Sequence, residues 1–141
     1  MILALVLVII NIFIYMNTRE PENLRIVKEK YRILREHLKE TNNEEFEMLQ
    51  KPIPITAHTR TDTIGYNTNK GQEIGLCIDG DTNKIMHVLI HELAHSTIKE
   101  YDHSDKYWDK YNKLIQICKE LGIYEPITQK TKFCGKHVQD K

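Results

Sequence analysis

His91-Glu92-Leu93-Ala94-His95 sets two histidines four residues apart, with a glutamate directly after the first. On a helix, positions i and i+4 share a face. Both imidazoles can therefore grip one metal ion while Glu92 sits beside that face. This H-E-x-x-H spacing is the pattern of a zinc site that hydrolyses peptide bonds, with two ligands and a general base. The motif is short and the chain is rich in His and Glu, so the surrounding residues must carry the reading.

A catalytic zinc takes three protein ligands and keeps one position open, whereas four protein ligands make a structural site. His103 is the expected third ligand. It falls in a turn between two helices, just before the second begins, and can swing back towards His91 and His95. Glu100, Asp102 and Asp105 compete with it, since carboxylates also bind zinc. His87 lies one turn before His91, but it would have to displace His95 and no Glu follows it. It reads as a packing or supporting residue. Glu92 would take a proton from water and pass it to the leaving amine. An oxyanion donor is also expected, and Tyr101 and Tyr107 are the two candidates.

These residues need a helix to position them. Asp81-Thr82-Asn83 offers a capping residue, and Ile85, Met86, Leu89, Ile90, Leu93 and Ala94 recur at helical spacing. No Pro or Gly interrupts Asp81 to Tyr101, so the helix is predicted to run on past His95 through Glu100. Ser104 caps a second helix, with Asp105 in its first turn. Tyr107, Trp108, Tyr111, Leu114, Ile115, Cys118 and Leu121 form its apolar stripe, and Gly122 stops it.

Upstream, Glu73–Ile78 is the best strand. The turn Asn67–Gly71 precedes it, and Ile55–Tyr66 reads as one Thr-rich strand of mixed quality. A hairpin beside the active helix can accept an extended substrate on its edge, or serve structure alone. Lys51-Pro52-Ile53-Pro54 is extended. Leu24, Val27, Tyr31, Leu34 and Leu38 mark an amphipathic helix opened by Pro21. Its seam is too short for more than two heptads, so packing against the domain is favoured over a coiled coil. Glu44–Gln50 is expected to add a further turn or two.

Ile2 to Met16 is almost wholly apolar. As a helix it spans roughly 22–24 Å, near the lower limit for a hydrocarbon core of about 30 Å. No basic residue precedes it and no small-residue cleavage site follows, so an uncleaved anchor through residues 2–16 is favoured over a secretory signal. Arg19, Arg25, Lys28 and Lys30 follow the run, which puts the main domain on the cytoplasmic side of a single-pass protein.

Formal net charge over the 141 residues is zero. That argues against nucleic acid as a partner, although Lys130, Lys132, Lys136 and Lys141 make the tail locally basic. Cys77, Cys118 and Cys134 form no C-x-x-C pair. Three dispersed cysteines suit a reducing compartment better than a disulfide framework.

The order H-E-L-A-H (His91–His95), a short insert, then H-S-x-x-[FY]-W (His103–Trp108) resembles the WLM/SprT-like group of small zincin metallopeptidases. The approach Asn83–Val88 and the ending Gly122–Pro126 with Phe133-Cys134-Gly135 are similar to WLM-domain proteins of large DNA viruses. The likeness covers roughly residues 60 to 140. It implies Zn2+ as cofactor, His91, His95 and His103 as its ligands, Glu92 as catalytic base, and a protein or peptide substrate. The family often has Gly before the third histidine, where this chain has Asp102. Cellular members act on proteins crosslinked to DNA, but the apolar start and the absence of a zinc ribbon keep that substrate from being carried over.

The expected fold is α+β: a minimal zincin-like domain with an N-terminal helix, a small sheet containing a β-hairpin, the motif helix and a C-terminal helix. The division is an anchor over 1–17, a linker and amphipathic helix over 18–50, and the metallopeptidase domain over 51–141. Two rival readings remain: a non-catalytic membrane protein with a structural zinc, and a DNA-associated crosslink protease.

Overall fold

The computed structural model describes residues 1–141. Four helices, a 3-10 turn and five short strands follow in order: α1 (Ile2–Thr18), α2 (Glu22–Glu40), the 3-10 turn (Glu44–Leu49), β1 (Ile55–His58), β2 (Gly65–Thr68), β3 (Glu73–Cys77), α3 (Thr82–His95), α4 (Asp105–Glu120), β4 (Thr131–Phe133) and β5 (Lys136–Val138). The chain is a mixed α+β domain, as its patterning predicts.

The motif helix α3 is the hub. Ile85, Met86, Val88, Leu89, Ile90, Leu93 and Ala94 are all fully buried. Burying each large aliphatic side chain stabilises the fold by about 1.5–3 kcal/mol. Helix α2 turns Val27, Tyr31, Leu34 and Leu38 into the same core, α4 adds Tyr107, Tyr111, Leu114 and Cys118, and β3 adds Ile74, Leu76 and Cys77. The amphipathic helix therefore packs on the domain and shares one core with residues 51–141. The Tyr31 hydroxyl accepts the Ile53 amide at 3.1 Å and fixes the extended Pro52–Pro54 segment against α2.

The sheet order is β1-β3-β2. Strand β1 is parallel to β3 and β2 antiparallel to it. The single strand predicted over Ile55–Tyr66 is thus corrected to two strands on opposite edges of β3. Residues 59–64 cross between those edges, and no local pattern signals that crossing. Strand β2 is an edge, and it lies against α3. The approach is close: a Cβ on Gly65 would come 2.4 Å from Val88 Cγ1 and 3.3 Å from Glu92 Oε1. Only glycine fits there.

The predicted extension of α3 to Glu100 is also corrected, because the helix ends at His95. The amides of Ser96 and Thr97 bond to Leu93 and Ala94, three residues back, and the Thr97 hydroxyl bonds to the Ala94 carbonyl. These bonds close the last turn and free residues 96–103 to form a loop. Both caps fall where expected: within Asp81-Thr82-Asn83 it is Asp81 that accepts the Lys84 amide, at 3.0 Å, and Ser104 accepts that of Tyr107. Gly122 takes φ +69 after α4.

The hairpin of β4 and β5 is absent from the sequence reading. Its two-residue turn, Cys134-Gly135, has both residues at positive φ. Cys134 is bonded to Cys77 across 57 residues, and Cys118 alone is free. The reading of three unpaired cysteines is corrected: the fold brings the end of β3 against the β4–β5 turn, a closeness that spacing does not reveal.

Helix α1 is exposed along its whole length. No single helix is long and apolar enough to cross a membrane. Helices α1 and α2 reach that length only as a pair bent by 53°, and α2 gives its apolar face to the core.

Candidate metal centre

Helix α3 presents His91 and His95 on one face, and the loop after it returns His103 to the same point. His103 Nε2 lies 3.2 Å from His91 Nε2 and 3.1 Å from His95 Nε2. A tetrahedral zinc with Zn–N bonds of about 2.0–2.1 Å holds its nitrogens about 3.3 Å apart, which both of these distances approach, and all three ligand atoms lie within 4.8 Å of one another. No carboxylate joins the three ring nitrogens. Of the competitors, Glu100 instead faces Lys106 at 3.6 Å.

The electrostatics suit a lone-pair donor set. Burial, and then the neighbouring imidazoles, lower the His91 pKa to about 3. Burial, then His103 and Lys70, lower that of His95 to about 4. Both rings are neutral at pH 7, the form a metal requires.

Aromatic rings frame the triangle from α4. Tyr107 packs beneath all three imidazoles, with ring centroids 4.5 Å from His95, 4.7 Å from His103 and 5.4 Å from His91. Its hydroxyl donates to the His91 carbonyl at 3.1 Å. Trp108 stacks on His103 at 5.7 Å. The two oxyanion candidates are therefore differently placed. Tyr107 is fully buried with its hydroxyl already engaged, whereas Tyr101 is 78% exposed at the mouth of the site.

Glu92 is one step round the helix from His91 and is buried. Burial alone pushes its carboxyl up to about 7, because no cation or donor offsets it. Its value lies near that of a working general base. A cleft of about 180 Å³ opens beside it, lined by Asn67, Lys70, Glu92, His95 and Tyr101.

Two positions here escaped the sequence reading. Asn67 on β2 donates to the Glu92 carbonyl at 2.8 Å and to Ser96 Oγ at 2.7 Å, and accepts the Gly71 amide at 2.7 Å. Asp140 lies one helical turn behind the site. It accepts from the Tyr111 hydroxyl, from the Tyr124 hydroxyl at 2.6 Å and from the Ile127 amide at 2.6 Å, and stands 3.0 Å from His87 Nδ1. His87 is thus a supporting residue held by protein groups. The signal for Asn67 was its turn-forming neighbourhood; Asp140 had none.

A family model of the WLM domain matches residues 27–141. An uncharacterised protein of Acanthamoeba polyphaga mimivirus is 32% identical over 85 residues, which cover 53% of this chain and 43% of that protein. The chain thus spans less than half the length of this relative. The crystal structure of Wss1 from Saccharomyces cerevisiae shares the fold, with a TM-score of 0.52 at 23% identity over 70% of this chain and 78% of that one. The family is zinc-dependent in general, and membership supports a metalloprotease-type function. The matched segment takes in α3, the loop to His103 and α4, and by that match the chain belongs to the WLM family.

Proposed function

We propose that this chain is a membrane-anchored zinc metallopeptidase that cleaves peptide bonds, with His91, His95 and His103 as the metal ligands and Glu92 as general base. The observation that carries this reading is the convergence of three imidazole nitrogens, with a buried carboxyl one residue along. Three ligands rather than four favour catalysis over a structural zinc. Zinc, when bound, supplies Lewis acidity towards water and the scissile carbonyl.

The chain's own groups do the rest. Glu92 takes the proton of the attacking water and hands it to the departing amine. Tyr101, exposed at the cleft, serves as the oxyanion donor, while Tyr107 holds the imidazoles in place. The open edge of β2 runs beside α3 and accepts an extended protein or peptide substrate by backbone hydrogen bonds.

Residues 2–16 anchor the chain. A helix apolar on every side has no aqueous face, and α1 packs against nothing in the domain. The basic residues after α1 direct the domain to the cytoplasm, whereas the Cys77–Cys134 bond is at home in an oxidising compartment. Protease protection of intact membranes decides between these, since a digested domain places it on the cytoplasmic face.

The test of catalysis is Glu92→Gln, which keeps size and hydrogen bonding but accepts no proton at neutral pH. Zinc content and melting temperature should match wild type while chelator-sensitive peptide cleavage falls roughly 100- to 10,000-fold. Cleavage at the wild-type rate would end the general-base role. A chain that cleaves nothing across a broad peptide library, yet unfolds when stripped of zinc, would be a structural zinc protein.

A further inference from the structure

The loop over residues 96–103 leads from the end of α3 to His103, which is packed by Tyr107 and Trp108 of α4. Between β2 and β3, Asn69, Lys70 and Gly71 all adopt positive φ, at 45°, 54° and 109°. Three left-handed residues in a row are rare, and two of them carry a Cβ that disfavours this backbone. The unusual turn throws the Lys70 side chain across to the loop. There its Nζ donates to the Ile98 carbonyl at 2.5 Å and to the Glu100 carbonyl at 2.6 Å, and lies 4.3 Å from the centroid of the Tyr101 ring. All three residues fall within the five that precede His103. The same turn is fixed to α3 by Asn67, which bonds to the Glu92 carbonyl and Ser96.

We propose that Lys70 is a positioning residue: the β2–β3 turn is a latch whose ammonium gathers the carbonyls of Ile98 and Glu100 and so holds His103 at the metal site. The inference rests on the three-histidine reading. An ammonium suits the task because it brings several donors to one point. Without the latch, the loop keeps the burial of Ile98 and the stacking of Trp108 on His103, and the charged contact left at Glu100 is its ion pair with Lys106, whose side chains are 48% and 77% exposed. An exposed pair of this kind holds little. His103 would then be a ligand present only part of the time.

The test uses the full chain in detergent, with Zn2+ affinity measured against a chromophoric chelator and the visible spectrum of the Co2+ form. Four variants are compared: Lys70→Met, Lys70→Gly, Lys70→Arg and His103→Ala. Lys70→Met and Lys70→Gly should weaken zinc binding about 10- to 100-fold, the range for losing a group that orients a ligand. Their Co2+ spectra should move towards that of His103→Ala. Lys70→Gly also relieves the strained backbone, so its metal-free melting temperature should equal or exceed wild type, which a merely structural role for the side chain would not allow. Lys70→Arg should restore affinity, since its donors reach the same carbonyls. Wild-type zinc affinity and Co2+ spectrum in both Lys70→Met and Lys70→Gly, with loss in His103→Ala, overturns the latch alone. Wild-type affinity in His103→Ala overturns the three-histidine reading itself.

Discussion

His87 and His91 stand one turn apart on the same face of α3, in surroundings that differ completely. His87 Nδ1 meets Asp140 at 3.0 Å, the Tyr124 hydroxyl at 3.2 Å and the Tyr111 hydroxyl at 3.3 Å. Every polar group around it is answered by another. His91 Nε2 meets only another imidazole nitrogen, at 3.2 Å. One helix thus carries a closed polar cluster in its first half and an open one in its second. Neither residue type nor helical position separates a structural histidine from a candidate ligand here; the partners do. A buried group that protein atoms satisfy is finished, while three lone pairs aimed at one point call for a cation.

The comparison predicts unequal losses. The largest effect belongs to His91→Ala, which should abolish stoichiometric zinc binding and peptide cleavage together. His87→Ala should keep one zinc per chain and lower only the melting temperature. Zinc loss of the same degree in both variants would erase the distinction.

Next in size is Asp140→Ala. It removes the shared acceptor of Tyr111, Tyr124 and the Ile127 amide, and leaving such groups unanswered costs about 1–3 kcal/mol each where they stay buried. Denaturant unfolding should show a loss of about 2–4 kcal/mol, with zinc stoichiometry unchanged. A loss under about 0.5 kcal/mol would place the cluster among surface contacts.

The two halves should also part company in acid. The folded-state pKa values of His91 and His95 are lowered to about 3 and about 4. The unfolded or metal-free, opened chain takes up their protons first, so their contribution is complete above about pH 6.5 and is lost as pH falls below it. Asp140 is held at about 2: burial raises its pKa, but the bonds from His87, Tyr111, Tyr124 and Ile127 lower it further. Its contribution is present above the unfolded value of about 3.9 and disappears only as pH falls towards 2. Zinc release followed by a chelator dye should therefore begin near pH 6, with near-ultraviolet signals of Tyr111 and Tyr124 intact until below about pH 4. Simultaneous loss of both would tie the halves into one unit.

The smallest effect is expected at Gly65, which separates β2 from α3. Gly65→Ala pushes a methyl group towards Val88 and Glu92, and overpacking of this kind costs about 1–3 kcal/mol. Thermal melting checks it, and an unchanged melting temperature would mean that β2 can slide away from the helix freely.

What was legible in the sequence was what neighbours in the chain decide. Asp81 and Ser104 cap their helices through amides three residues on. The stripes of α2 and α4 declare their buried faces, and the H-E-x-x-H spacing declares its ring geometry. His103 was legible because Ser104 marks a helix start, and a residue just before a start is free to turn back. The end of α3 at His95 was hidden, because Ser96 and Thr97 are neutral in a helix and act here through their bonds to the preceding turn. The crossing between β1 and β2, the contact of Lys70 with Ile98 and Glu100, and the gathering of His87, Tyr111 and Tyr124 by Asp140 join residues far apart in sequence. The left-handed turns leave a faint trace in Asn69-Lys70-Gly71 and Cys134-Gly135. Turn chemistry shows where a chain reverses but not what the reversed segment touches.

The bond between Cys77 and Cys134 closes residues 77–134 into a covalent ring. His91, Glu92, His95 and His103 all belong to that ring. Its one long stretch without a helix between these residues is the loop at 96–103, where Glu100, Tyr101, Asp102 and His103 are exposed. A single backbone cut there leaves both pieces tied together. The chain would run as two fragments only after treatment with a thiol reductant, and until then the half bearing His103 could not diffuse away from the half bearing His91 and His95. The disulfide thereby makes the proposed metal site tolerant of a nick in its exposed loop.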